Sequence, residues 1–297
     1  MSRPIKAFLK IALSVAALWY VYTRIDVREV AQIFRHVHYG WLMAATLLFA
    51  VSKVLSSYRL NVFFRNTGAG LTKSSNLRLY LLGMYYNLFL PGGIGGDGYK
   101  IYLLNKKFGT GAKKLFWAVL LDRVNGVLAL FVLAMLMVPF LALPVFYKYL
   151  AMAAIPLSIA VYYLSIHWLF KDFRKSIHLT NLYSVGVQLA QLLSAWLILL
   201  ANHHQEQILA YLFLFLVSSI IATLPITIGG IGSREITFLF GAEIMQLDIH
   251  LSIALSLLFY VITALVSLCG IYFSLNEKAL KIKLEAGTSA GESEVTV

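Results

Sequence analysis

Six charged side chains stand in apolar surroundings: Asp97, Lys100, Asp122, Arg123, Arg234 and Glu235. Asp97 and Lys100 close a glycine-rich stretch, Asn87-Leu88-Phe89-Leu90-Pro91-Gly92-Gly93-Ile94-Gly95-Gly96-Asp97-Gly98-Tyr99-Lys100. Arg234 and Glu235 close a second, Leu224-Pro225-Ile226-Thr227-Ile228-Gly229-Gly230-Ile231-Gly232-Ser233-Arg234-Glu235. Pro91 and Pro225 are 134 residues apart; at that spacing Gly95 and Gly96 meet Gly229 and Gly230, Gly98 meets Gly232, and Lys100 meets Arg234. The chemistry such a set can do is anion recognition. Each break predicts a short helix after it, over about 97–106 and about 233–246, and helix N-terminal amides attract phosphate or carboxylate. Asp97 and Ser233 suit the N-cap position. Lys100 and Arg234 add full positive charge, and an arginine grips phosphate at two points. Asp122 and Arg123 lie within an apolar run, where ionised groups are expensive unless they face protein or water.

Each residue alone has a plainer reading. Lys100 would mark the cytoplasmic side, Asp97 would simply cap a helix, and Asp122-Arg123 would be an interfacial pair. Glu235 would be an acid favoured in a first helical turn. The repeated motif, taken as a unit, points to a site. Arg59 and Glu243 are weaker candidates.

The surroundings decide what can position these residues. The 297 residues are 60% hydrophobic and 13% charged, with a mean hydropathy of +0.79; a soluble domain carries about 25% charged residues. Apolar runs long enough to span a bilayer recur at 5–23, 40–63, 115–138, 148–169, 181–201 and 250–275. The fold class is therefore an all-α polytopic membrane protein. Shorter apolar runs, 76–90 and 207–224, lead into the two breaks. Residues 26–38 have amphipathic spacing that fits a connector better than an interfacial helix.

The net charge of +12 sits in short loops, where it reports topology and anionic headgroups rather than nucleic acid. Basic clusters occur at the N-terminus and in 65–78, 100–114, 171–175 and 278–283; 139–147 and 202–206 are poor in bases. With every basic loop in the cytoplasm, 65–78 and 100–114 share a side, so the segment between them must enter and return. The same holds for 206–247. The layout is six full spans plus two re-entrant hairpins, with both termini cytoplasmic; eight full spans is the alternative. The loop at 24–38, placed outside with Arg24, Arg28 and Arg35, fits least well.

A shift of 134 residues then superposes one repeat, about 1–138, on another, about 139–276, running in the opposite direction, as in transporters with inverted repeats. One membrane domain over 1–283 and a disordered Gly/Ser/Glu/Thr tail over 284–297 are expected. Irregular backbone at membrane depth is tolerated only against protein or water. Pro91, Gly92, Gly93, Gly95, Gly96, Gly98, Pro225, Gly229, Gly230 and Gly232 are thus expected to line a polar cavity.

Other signals carry little. Gly93-Ile94-Gly95-Gly96-Asp97-Gly98 fits the dinucleotide pattern but lacks a preceding strand. His203 and His204 are adjacent, which is poor metal spacing. The single Cys269 can form neither an internal disulfide nor a thiol metal site. No cofactor and no metal are expected.

Asn87 to Asp97, then Asp122-Arg123-Val124-Asn125-Gly126, then Pro225 to Glu235 resemble the transmembrane flippase region of lysylphosphatidylglycerol synthase/flippase proteins and their stand-alone relatives. The likeness covers nearly the whole chain. It implies a protein of the bacterial inner membrane that moves lipids between leaflets. The sequence ends at Val297 without a soluble aminoacyl-transferase domain, so synthesis of lysylphosphatidylglycerol is not expected. Stand-alone relatives are linked by name to other lipids, including polyprenyl-phosphate sugars and hopanoids. The leading expectation is a flippase for a phosphate-bearing lipid, not an enzyme. Its partners would be membrane lipids with anionic headgroups and a lipid-synthesising enzyme, and the oligomeric state is left open. The alternatives are a membrane enzyme using Asp97 or Glu235 as acid/base, and an accessory scaffold for a lipid-modifying enzyme.

Overall fold

The computed structural model describes residues 19, 22–23, 27–89, 95–224 and 232–285. The expected turns at Pro91, Gly92, Gly93, Pro225, Gly229 and Gly230 lie outside the described residues, as do most of the first apolar run and residues 286–297. Within the described residues the chain folds into α1 (Val27–Arg35), α2 (Tyr39–Arg65), α3 (Lys73–Phe89), α4 (Gly95–Phe108), α5 (Ala112–Met137), α6 (Val145–Leu169), α7 (Ile177–Ala201), α8 (Ile208–Thr223), α9 (Ser233–Met245), α10 (Ile249–Leu268) and α11 (Ile271–Leu275).

Five helical segments among the described residues are long and apolar enough to cross a membrane: Tyr39–Arg65, Ala112–Phe140, Val145–Leu169, Lys171–Ala201 and Ile249–Leu275. They coincide with the five predicted spans after the first. Their outward faces carry bare apolar side chains such as Leu164, Leu182 and Leu265, a surface suited to acyl chains rather than water. The protein is a multi-pass all-α membrane protein.

Its centre is the crossing of α2 and α7. Ser194 donates to the Ala45 carbonyl (2.9 Å) at one end, and Arg59 donates to Ser184 (2.7 Å) toward the other. Rising numbers on one helix meet falling numbers on the other, so the two run antiparallel. Small residues such as Ser52, Ser56, Ser184 and Ser194 are buried there and let the backbones approach, as membrane helices require.

On either side of this crossing sits a helical hairpin. In the first, α4 folds back along α3: the Gly96 amide donates to Asn87 Oδ1 (2.8 Å), and the rings of Tyr86 and Tyr99 lie 5.0 Å apart. Gly96 presses on Gly83, whose carbonyl oxygen would stand 1.9 Å from any Cβ added at position 96; only glycine fits there. In the second hairpin, α9 returns along α8. Arg234 donates to Ser219 near the tip (3.1 Å), and the Asp248 amide donates to Tyr211 just beyond the base (3.1 Å). With 17, 14, 16 and 13 residues, these helices are shorter than the roughly 20 residues a span needs. In the packing, α3 with α4 and α8 with α9 each form a hairpin of short helices.

A shift of 134 residues carries α2 onto α7, α3 onto α8 and α5 onto α10. Contacts follow the same rule: α5 touches α8, and α10 touches α3. Because α2 and its copy α7 run antiparallel, the two repeats are inverted.

Two local expectations change. The first short helix begins at Gly95, so Asp97 lies in its first turn rather than at its N-cap. Residues 27–35 form a helix, α1, which packs on α10. At the far end of the chain, Leu284 forms an antiparallel bridge with Leu71. Ser75 and Lys107 bind the carbonyls of Lys281 and Ile282 (both 2.8 Å). The chain end thus straps the base of the first hairpin, and Leu284 and Glu285, assigned to the tail from sequence, belong to this strap.

Candidate functional site

A cavity of about 340 Å³ opens between the two hairpins, against the crossing of α2 and α7. Of the six charged residues singled out from sequence, Asp97, Lys100, Asp122, Arg123 and Arg234 line it, and Glu235 does not. The Glu235 carboxylate accepts from the Gly232 amide (2.7 Å) and from Ser256 (2.9 Å). It therefore secures the start of α9 and ties it to α10. Glu243 is exposed on α9, away from the cavity. Gly96 is buried against Gly83, whereas Gly98 faces open space.

The first hairpin brings opposite charges together. Asp97 takes Lys100 Nζ on one carboxylate oxygen (2.9 Å) and Arg123 on the other (2.6 Å). Lys100 is 3% exposed and its ammonium also sits 4.7 Å from the centre of the Tyr80 ring. It is thus a buried, partnered cation rather than a surface topology marker. Asp97 and Lys100 share a helix face because they are three residues apart; Arg123 reaches them from α5.

Arg59 is more central than its sequence context suggested. Its guanidinium forms a two-pronged pair with Asp122 (2.7 and 3.1 Å) and donates to Ser184. Ser184 donates in turn to Asn125, and Asn125 donates to Tyr162 (2.9 Å). Gln188 donates to the Gly126 carbonyl (3.2 Å). This network stitches α2, α5, α6 and α7 together behind the cavity. It is why Asp122 is buried protein-facing structure and not an interfacial pair.

The second hairpin is different. Arg234 donates to Ser219, and its guanidinium carbon lies 5.0 Å from the centre of Phe259 and 5.7 Å from that of Phe215. Lys53, near the middle of α2, also lines the cavity, with Nζ 4.4 Å from the centre of Phe49. Among the described residues, no carboxylate lies within ion-pair distance of either cation.

Sequence reasoning missed Lys53, Tyr80, Gln188 and Gln191, all in the cavity wall. For Lys53 a signal existed: a lone lysine in the middle of an apolar span marks a site by default. The two glutamines and Tyr80 gave none, since uncharged polar residues are common in membrane helices.

The wall thus combines five cations, two carboxylates and several amide and hydroxyl groups beside apolar surface from Leu130, Val187 and Phe259. Such a surface can hold a polar, anionic headgroup beside a hydrophobic tail. Among the described residues no cluster of His, Cys, Asp or Glu could hold a metal ion.

No curated protein matches the chain. A family model described as the lysylphosphatidylglycerol synthase TM region matches residues 7–270. With that match spanning both hairpins and four of the five described spans and most of the fifth, the chain belongs to the lysylphosphatidylglycerol synthase transmembrane-region family, whose function concerns membrane lipids.

Proposed function

We propose that this protein moves a phosphate-bearing lipid between the leaflets of the bacterial inner membrane. The observation that carries the reading is the cavity itself: a polar, predominantly cationic chamber within a membrane domain, set between two hairpins of opposite orientation. Cations held at membrane depth are costly without an anion to receive. A headgroup would enter between the hairpins while its acyl or prenyl tails stay in the bilayer. The two repeats would then rock about the α2–α7 crossing to face either leaflet, as inverted repeats allow. The basic loops orient both termini toward the cytoplasm.

The chemistry favours transport over catalysis. A carboxylate acting as general acid or base must be free to exchange a proton with substrate. Asp97 already receives two cations and Asp122 a two-pronged arginine, and Glu235 fastens a helix start. A lipid-synthesising enzyme is the natural partner, as the supplier of the cargo.

The test is a leaflet-resolved assay on purified protein in liposomes. Fluorescently labelled phosphatidylglycerol, its lysyl ester and a short polyprenyl phosphate are offered in parallel, and label in the outer leaflet is quenched chemically. Protein-dependent exchange of at least one lipid is the expected result. Exchange no faster than in protein-free liposomes, with folded protein and all three lipids, contradicts the proposal.

A further inference from the structure

The sequence motifs do not include Lys53, yet the fold gives it a singular position. α2 and its repeat copy α7 cross antiparallel, with Ala45 against Ser194 and Arg59 against Ser184. Lys53 lies on α2 between those two contacts. The repeat spacing puts Val187 at the corresponding place on α7. Both residues line the cavity, so Lys53 stands beside the pseudo-two-fold axis, and its counterpart carries no charge.

Lys53 and Arg234 share one support. The Lys53 ammonium rests over Phe49 (4.4 Å) and the Arg234 guanidinium over Phe259 (5.0 Å). Phe49 and Phe259 are in edge contact, 5.2 Å between ring centres, and Phe259 meets Phe215 at 4.7 Å. The two cations therefore stand on one continuous aromatic floor. Ring faces hold a cation in place without cancelling its charge. Ser219, which accepts from Arg234, supplies a hydroxyl at the edge. An anion seated between Lys53 and Arg234 would gain attraction from both.

We infer that Lys53 and Arg234 form the phosphate seat of the cavity, and that the seat selects lipids whose headgroup is net negative. This rests on reading the cavity as a headgroup site. The selection follows from what the rest of the described wall lacks. An aminoacylated phospholipid is best met by a carboxylate for its ammonium groups, and the two carboxylates among the described wall residues, Asp97 and Asp122, are each committed within the protein. The remaining polar wall includes Tyr80, Asn87, Gln188 and Gln191 and suits the hydroxyls of a glycerol or sugar. The cargo class is a phosphate ester bearing a neutral, hydroxylated head or no further head at all.

Binding is measured apart from transport, so that failure of one is distinguishable from failure of the other. Short-chain phosphatidylglycerol and its lysyl ester are titrated against the purified full chain in detergent, with intrinsic fluorescence as the readout. The lipids are compared on wild type, Lys53→Gln and Lys53→Arg. The melting temperature of each lipid-free variant checks its fold. The expected result is that phosphatidylglycerol binds wild type at least tenfold more tightly than the lysyl ester. Lys53→Gln loses about tenfold of that affinity and Lys53→Arg regains most of it. Equal affinity for the two lipids, or unchanged phosphatidylglycerol binding in folded Lys53→Gln, overturns the inference. Lys53-dependent binding without leaflet exchange keeps the seat and removes the transport reading.

Discussion

The two hairpins share a similar helix pairing but partner their cations differently. In the first, the cation Lys100 is met by Asp97 three residues earlier and Arg123 joins the same carboxylate. In the second, Arg234 occupies the place of Lys100, but the repeat spacing puts Ile231 where Asp97 stands and Leu257 where Arg123 stands. Where the first half uses Asn125, the second has Phe259, a ring beneath Arg234. The paired helices have nearly equal lengths, 17 and 14 residues against 16 and 13, while their charged residues differ. The first hairpin pairs its cation with a carboxylate, and the second holds Arg234 on aromatic rings. On the proposed transport reading, the open cation would attract an anion and the paired charges elsewhere would keep it from being trapped.

The comparison can be broken most sharply at the buried pair behind the first hairpin. Arg59→Met leaves Asp122 unpaired and is expected to lower stability by about 3–5 kcal/mol. Thermal unfolding in detergent reads this, and Arg59→Met with Asp122→Leu should recover most of the loss. The corresponding position to Asp122 in the other half is Ser256, bonded to Glu235 (2.9 Å). Ser256→Ala should cost less, about 1.5–3 kcal/mol. A larger loss from Ser256→Ala than from Arg59→Met would mean that the halves are braced the other way round.

Asp97→Asn tests whether neutralisation distinguishes the hairpins. It removes the shared acceptor of Lys100 and Arg123 and adds one positive charge to the net charge of the cavity wall. Affinity for an anionic lipid should rise about tenfold, or roughly 1.4 kcal/mol, with a lower melting temperature because Lys100 is then buried without its partner. Fluorescence titration with short-chain phosphatidylglycerol reads it; weaker anion binding would show that Asp97 organises the seat rather than masking it. The smallest effect belongs to the strap. Arg65 and Glu285 pair at 2.7 Å with both side chains 39% exposed, so Arg65→Ala should cost only about 0.2–1 kcal/mol, and high salt should erase the difference from wild type.

Much of the architecture was legible because its causes are local or periodic. The spans follow from apolar runs of bilayer length, and the hairpins from basic loops that must share one side of the membrane. The inverted repeat follows from two breaks at constant spacing. The long-range partners were not legible. Nothing near Arg59 in the chain announces Asp122, 63 residues away, and Asp97 as an N-cap was the best local reading of a carboxylate whose partners lie partly on another helix. The sequence offers Glu235 as a substrate ligand or a first-turn acid, and the fold has it hold the start of α9. Lys53 is legible in principle, as a lone lysine in the middle of a regular apolar span.

The most direct measurement of the account compares two charge removals in the same liposome assay. Leaflet exchange of labelled phosphatidylglycerol is followed for wild type, Arg234→Gln and Lys100→Gln, each reconstituted at equal density and checked for folding. The account predicts at least a tenfold loss of rate for Arg234→Gln, because its charge is the open one, and a clearly smaller loss for Lys100→Gln, because Asp97 already neutralises that lysine. Equal losses, or a wild-type rate for Arg234→Gln, would contradict it.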